Sequence, residues 1–160
     1  MLKYAKICNE ETKAVIVALG DDEEYYTSMG FELMDVEQDW KNRWFLKDYV
    51  PVQPTNEKKE QMYSELWRNY KDFQTRYVDA EDLTLATLCA QNGSEKGLAV
   101  QGWVMNLWKH YYEVKDLIKN AETLNELNNI DITTESLSTP PYTIRELNEE
   151  AATFLSDNNE

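Results

Sequence analysis

Nucleophilic or metal chemistry in this chain would have to pass through very few residues. His110 is the sole histidine, and Cys8 and Cys89 are the sole cysteines. A histidine-activated nucleophile would pair His110 with Cys89, the thiol nearest to it in sequence. The two fall in different predicted helices, and a histidine at a helix edge needs no catalytic explanation. One histidine and two separated cysteines do not supply a four-ligand zinc set or a CxxC motif. They supply no disulfide framework either, so two reduced thiols are expected, mostly buried. Carboxylates are concentrated in "GDDEEY" at residues 20–25, but the alternating oxygen ligands and terminal glutamate of a calcium loop are missing. No glycine-rich loop is present to cradle a phosphate. With 30 acids spread along 160 residues, no two stand out as the acid and base of a glycosidase. The reading is therefore a protein without catalytic residues, resident metal or cofactor.

The elements that would carry any site follow from pattern. "LKYAKIC" and "KAVIVAL" are short β-prone runs joined by the polar "NEET", which predicts an antiparallel hairpin. Asp21 or Asp22 can cap a short helix whose first turn holds Glu23 and Glu24, and Gly30 stands where such a helix ends. A third run contains Phe31, Leu33 and Val36, and "WFLKDYV" is the fourth, with "DWKN" as the turn between them. Strand alternation sets Trp44, Leu46 and Asp48 on one face and Phe45, Lys47 and Tyr49 on the other. Trp44 and Leu46 are then the core candidates, and Trp40, at the turn, is expected to be exposed. Pro51 and Pro54 mark a linker.

Beyond residue 55 the period becomes helical. Met62, Leu66, Tyr70, Phe73 and Tyr77 share one helix face. A second helix starts at Asp79 and stops at Asn92-Gly93, with Leu85, Leu88 and Cys89 expected to face inward. Ser94 caps a third, in which Val100, Val104, Leu107, Tyr111, Val114 and Ile118 alternate spacings of four and three, a heptad seam. That seam can pack on the helix at 56–77 of the same chain or be shared between protomers. Trp103, Trp108 and Tyr112 lie partly off it and widen the apolar arc. Residues 120–142, rich in Asn, Thr and Ser, read as an irregular linker in which "ETLNELNN" can form a short helical turn. After it, Thr143 and Glu146 form a capping box for a short amphipathic helix striped by Ile144, Leu147, Ala151, Phe154 and Leu155. That helix can fold back on its own chain or dock on a neighbour.

Charge adds an exclusion. The formal net charge is −14, and it is uneven: residues 121–160 carry one base against nine acids, whereas 56–120 carry nine against ten. Such a balance argues against direct binding to phosphate backbones. It suits solubility, or an acidic surface that imitates nucleic acid. The N-terminal "MLKYAKICNEE" lacks the apolar core of a signal peptide, and the longest apolar run, "AVIVAL", is too short to span a bilayer.

The stretch "YAKICNEETKAVIVALGDDEEYYTSMGFELMDVEQDWKNRWFLKDYVP" resembles the N-terminal part of small proteins encoded among the tail genes of phages and prophages of Gram-positive bacteria. The shared features are the "YAKI-NEET" opening, the acidic helix with a Tyr pair ending in "SMGF", and "MDVEQ" followed by a Trp-containing turn and "Y-P". The family often has glycine at that turn, where this chain has "DWKNRW". The resemblance covers residues 3–51 and brings no catalytic residues. It implies a structural or accessory role near the tail tip or in tail assembly.

The expectation is an α+β protein: a small ββαββ unit at 1–51, a helical region at 56–120, and an acidic linker with a C-terminal helix at 121–160. That makes three main helices and a tethered fourth. The function expected is a non-enzymatic phage or prophage tail-region protein acting by protein–protein contacts or self-association through its helices, with Trp40, Trp103, Trp108 and Tyr112 as contact residues. The alternative is an acidic, DNA-mimicking inhibitor of a nucleic-acid-binding protein. No direct nucleic-acid or membrane partner is expected, and the location is the bacterial host cytoplasm, with incorporation into the virion left open.

Overall fold

A computed structural model describes residues 1–157, with side chains through Phe154. The chain forms two compact units, Met1–Pro54 and Thr55–Glu160.

The first unit contains β1 (Leu2–Asn9), β2 (Ala14–Val17), α1 (Glu23–Ser28), β3 (Glu32–Gln38) and β4 (Trp44–Leu46), followed by a 3-10 turn at Lys47–Tyr49. The two sequence-local hairpins form, β1 with β2 and β3 with β4. The expected ββαββ unit gives way to a closed barrel, because β1 also pairs with β3 and β2 with β4, in the order β1-β2-β4-β3. Alternation sends Ala5, Val15 and Val36 into the centre, with Ile7, Val17, Met34, Trp44 and Leu46 packed around them. The turn after β1 is built by Asn9, whose side chain accepts from the Glu11 and Thr12 amides, and by Lys13 at φ 57°. Asp22 caps α1 by accepting from the Tyr25 amide, and Gly30, at φ 87°, lets the chain turn back into β3. The fourth strand is shorter than "WFLKDYV" suggested. It stops at Leu46, so the alternation ends there and Asp48 and Tyr49 are exposed.

The second unit contains α2 (Thr55–Tyr77), α3 (Ala80–Gln91), α4 (Glu95–Asn120), α5 (Leu124–Asn128) and α6 (Ile144–Asp157). Its boundaries are chemical. Asp79 and Asp82 cap α3 reciprocally, the Ser94 hydroxyl accepts from the Gly97 amide, and the Thr143 hydroxyl accepts from the Glu146 amide. Met62, Leu66, Tyr70 and Phe73 of α2 meet Val100, Val104, Leu107, Tyr111, Val114 and Ile118 of α4 in one core. The heptad seam is thus filled within the chain. On α3 the inward residues are Ala86 and Cys89, while Leu85 is half-buried and Leu88 exposed. Small residues face α4 because the helices touch closely there: a Cβ on Gly97 would lie 2.6 Å from the Ala86 carbonyl oxygen.

The stretch expected as a linker carries the helical turn allowed at "ETLNELNN", as α5, but it is packed rather than a free tether, and the C-terminal helix takes the fold-back arrangement. Residues 121–142 form a strap against α2 and α4, burying Ala121 and Leu127 and half-burying Ile130, Ile132 and Leu137. Asn69 donates to the Ile132 carbonyl at 2.9 Å, and the Trp103 indole donates to the Ser138 carbonyl at 2.9 Å. Helix α6 then folds back onto α3, burying Leu147 and Ala151 and half-burying Ile144 and Phe154. The Leu155 side chain lies outside the described residues. Among the described residues, no helix is long and apolar enough to cross a membrane.

Candidate interaction surface

Helices α2 and α4 run side by side, and off their shared core they carry a second set of aromatic residues. Trp108 lies one turn beyond Val104 and is anchored by its indole N–H, which donates to the Gln74 side chain at 2.6 Å. Its ring is 5.1 Å from Trp67 of α2 and 5.2 Å from Tyr111. Tyr111 is the buried floor of the cluster, 5.0 Å from Tyr112 and 5.9 Å from Trp67. The Lys115 ammonium sits 5.9–6.0 Å from the rings of Tyr63, Tyr111 and Tyr112. Above this floor the apolar surface is open: Trp67 is 49% exposed, Tyr112 59% and Met105 71%. Leu98, also exposed, continues the line, so Leu98, Met105 and Tyr112 repeat at intervals of seven along α4.

The four residues expected to make contacts separate into three environments. Trp108 and Tyr112 belong to the open face. Trp103 does not: it is buried, 5.9 Å from Phe73 and 6.2 Å from Tyr77, and roofed by the Ser138 carbonyl. The aromatic arc is widened at Trp103 by the strap of the same chain, not by a partner. Trp40 is in the barrel unit and is half-buried rather than exposed, with the Arg43 guanidinium 5.6 Å and the Lys41 ammonium 5.9 Å from its ring.

The Trp40 hairpin is organised by a carboxylate. Asp39, whose side chain is fully enclosed, accepts from the Lys41 amide at 2.9 Å, the Arg43 amide at 2.8 Å and the Arg43 side chain at 2.7 Å. Burial alone would raise the pKa of this carboxyl. The bonds from Arg43 and Lys41, with the guanidinium charge, outweigh that and hold it below the ordinary aspartate value. Arg43 also covers Phe45, at 5.8 Å, which explains why an outward-facing residue of β4 is buried. This cluster closes a turn, and Asn42 at φ 60° completes it.

Trp67 was missed by the sequence reading. It sits one residue past Leu66, about 100° around the helix from the face that carried the periodic signal. The signal that could have found it is the seven-residue repeat of Leu98, Met105 and Tyr112, which marks a second stripe on the helix packed against it.

The residues weighed for chemistry are partnered separately. Cys89 packs on Gly97, and burial pushes its thiol pKa up, with the Glu150 charge adding to the effect. His110 lies 13 residues beyond Gly97 on α4, about 20 Å along the axis. Its Nδ1 is 2.5 Å from the Tyr70 hydroxyl, in a bond between two stacked rings. Burial first, then the charges of Asp131 and Glu113, push the Tyr70 pKa up to about 12. A hydroxyl held neutral in this way stays bonded to the imidazole at physiological pH. Among the described residues, no group of three or more His, Cys, Asp or Glu is placed to hold a metal ion. No family model, curated protein or solved structure matches this chain.

Proposed function

We propose that this chain is a non-enzymatic phage or prophage accessory protein of the tail region, and that it acts by protein–protein contact. The observation that carries the contact reading is the open face of α2 and α4, where Trp67, Trp108 and Tyr112 stand on the buried ring of Tyr111. Tryptophan and tyrosine fixed in this way offer large contact area at little entropic cost, as interface anchors do. The assignment to phage tails rests on the resemblance of residues 3–51, and the overall acidity disfavours a phosphate backbone as the direct partner. The heptad seam is consumed inside the chain, so self-association through it is not part of the reading.

Co-purification tests it. The full chain, tagged and expressed together with the genes that flank its own, should retain one or more tail-region proteins through a salt wash. If it retains none of them and instead holds a DNA-binding protein of the host, the acidic-inhibitor reading replaces this one.

A further inference from the structure

We infer that the open face of α2 and α4 receives an amphipathic helix from a partner protein, with an acidic flank on that helix. The inference deepens the contact reading above and rests on it. Three observations fix the occupant. The first is spacing. Leu98, Met105 and Tyr112 recur every seven residues along α4, with Trp108 and Lys115 in intervening positions, while Gln101, between Leu98 and Met105, donates to the Thr87 hydroxyl of α3 and marks where α3 borders the stripe. This is the pattern one helix presents to another lying along it. The filled seam of α4 uses other residues, so this stripe is a second one. The second observation is shape. Gly102 lies on the outer side of α4 between Leu98 and Met105, and a Cβ there would meet nothing within 4 Å. Trp67 of α2 is large and exposed beside Trp108, so the stripe is bounded on one side by a raised ring.

The third observation is charge. Helical spacing sets Lys71, Lys109, Lys115 and Lys119 around the aromatic residues, against Glu60 and Asp116. This basic surplus runs against the formal net charge of −14 of the whole chain. A second copy docking through the same face would set one basic flank against another, a like-charge arrangement that disfavours pairing. The acidic helix of this chain, α6, already has its apolar side against α3, with Leu147 and Ala151 buried. The complement is therefore another protein's helix, apolar along one stripe and rich in glutamate or aspartate beside it.

Two synthetic probes test this with the purified full chain alone, so the outcome does not depend on the phage assignment. Both are roughly 21-residue peptides with leucine at heptad a and d; one carries glutamate and the other lysine at e and g, which also keeps each from pairing with itself. The glutamate peptide should shift the backbone amide resonances of Trp67, Lys71, Met105 and Tyr112, and the lysine peptide should not. Trp67→Ala should weaken binding about tenfold or more, with an unchanged amide spectrum elsewhere. Lys71→Glu combined with Lys109→Glu, both at exposed positions, should exchange the preference between the two peptides. The inference is overturned if the lysine peptide binds wild-type protein as well as the glutamate peptide, if neither binds, or if the shifts fall on α3 and α6. It is also overturned if sedimentation shows a dimer that Trp67→Ala dissociates, or if oligothymidylate shifts the same amides. Co-purification of tail proteins alongside failure of the peptides would leave the contact reading standing and remove this one.

Discussion

Trp103 and Trp108, and Tyr111 and Tyr112, are like residues on one helix with opposite fates. Trp103 and Tyr111 are buried; Trp108 is half-buried and Tyr112 exposed. Their chemistry does not separate them, and neither does helix propensity. What separates them is whether another piece of the chain lies over that side of α4. Residues 121–142 cross one side and use it fully, filling it with Leu127 and capping the Trp103 indole with a backbone carbonyl. On the other side the rings are braced from beneath and left open above. Tyr111, on the seam, is covered by α2 and by the rings around it, and Trp103 by the strap, so aromatic enrichment in this protein reports two things that only the path of the covering elements separates.

Removing the cover should have the largest effect. Leu127 is fully buried between the strap and the helices, and Leu127→Ala should cost about 2–5 kcal/mol in urea unfolding, as for large cavities in well-packed cores. Tyr112→Ala, an aromatic truncation on the open side, should change stability by no more than about 0.5 kcal/mol. Equal losses at the two positions would erase the distinction between covered and open sides. Gly97→Ala comes next. Helix propensity alone favours alanine by about 1 kcal/mol. Here the new Cβ would sit 2.6 Å from the Ala86 carbonyl and 2.8 Å from the Ala90 nitrogen, both backbone atoms that cannot swing away. The sign should reverse, with a net loss of about 1–3 kcal/mol.

A smaller effect is expected where the core includes a polar pair. Tyr70→Phe keeps the ring and its packing but removes the hydroxyl bonded to His110, and should cost about 1 kcal/mol at neutral pH. The pH dependence has a definite sign. Tyr70 holds its proton up to about pH 12 in the folded chain, against an ordinary value near 10 when unfolded. The folded state therefore binds that proton more tightly. Its stabilising contribution is complete below about pH 10 and is lost as pH rises from 10 to 12. Alkaline titration of tyrosinate absorbance should show a late tyrosine near pH 12 that disappears in Tyr70→Phe, while the upward shift of Tyr4, beside Glu23, persists. If all the tyrosines titrate together, the hydroxyl is not enclosed as described.

How far these positions were legible in the sequence depends on periodicity. Val100, Val104, Leu107, Tyr111, Val114 and Ile118 announced themselves because one helix repeats them at a fixed angle. Leu127, Ile130, Ile132 and Leu137 sit among Asn, Thr and Ser with no period, because each drops separately into a groove made by other elements. A strap of that kind has no local signature. Barrel closure was hidden for a related reason: the hairpins are local, but the pairing of Ala14 with Phe45 and of Leu2 with Asp35 joins strands far apart in sequence. The exposed face was half legible. Trp108 and Tyr112 stood out from the seam, whereas Trp67 was masked by the strong pattern one residue before it.

A small effect of opposite sign, and the one that bears most directly on the open side, belongs to Gly102. It is mid-helix, as Gly97 is near the helix start, and it has a negative φ that alanine adopts freely. The difference between the two glycines is what lies outside: the α3 backbone at Gly97, open space at Gly102. Gly102→Ala should therefore raise stability by about 0.5–1 kcal/mol, from lower entropy in the unfolded chain and better helix propensity. Paired with Gly97→Ala in thermal or urea unfolding, it gives two identical substitutions five residues apart on one helix with opposite signs. A loss of stability at Gly102 would mean that some part of the chain does pack on the outer side of α4, and the face that offers Trp67, Met105 and Tyr112 to a partner would then be covered already.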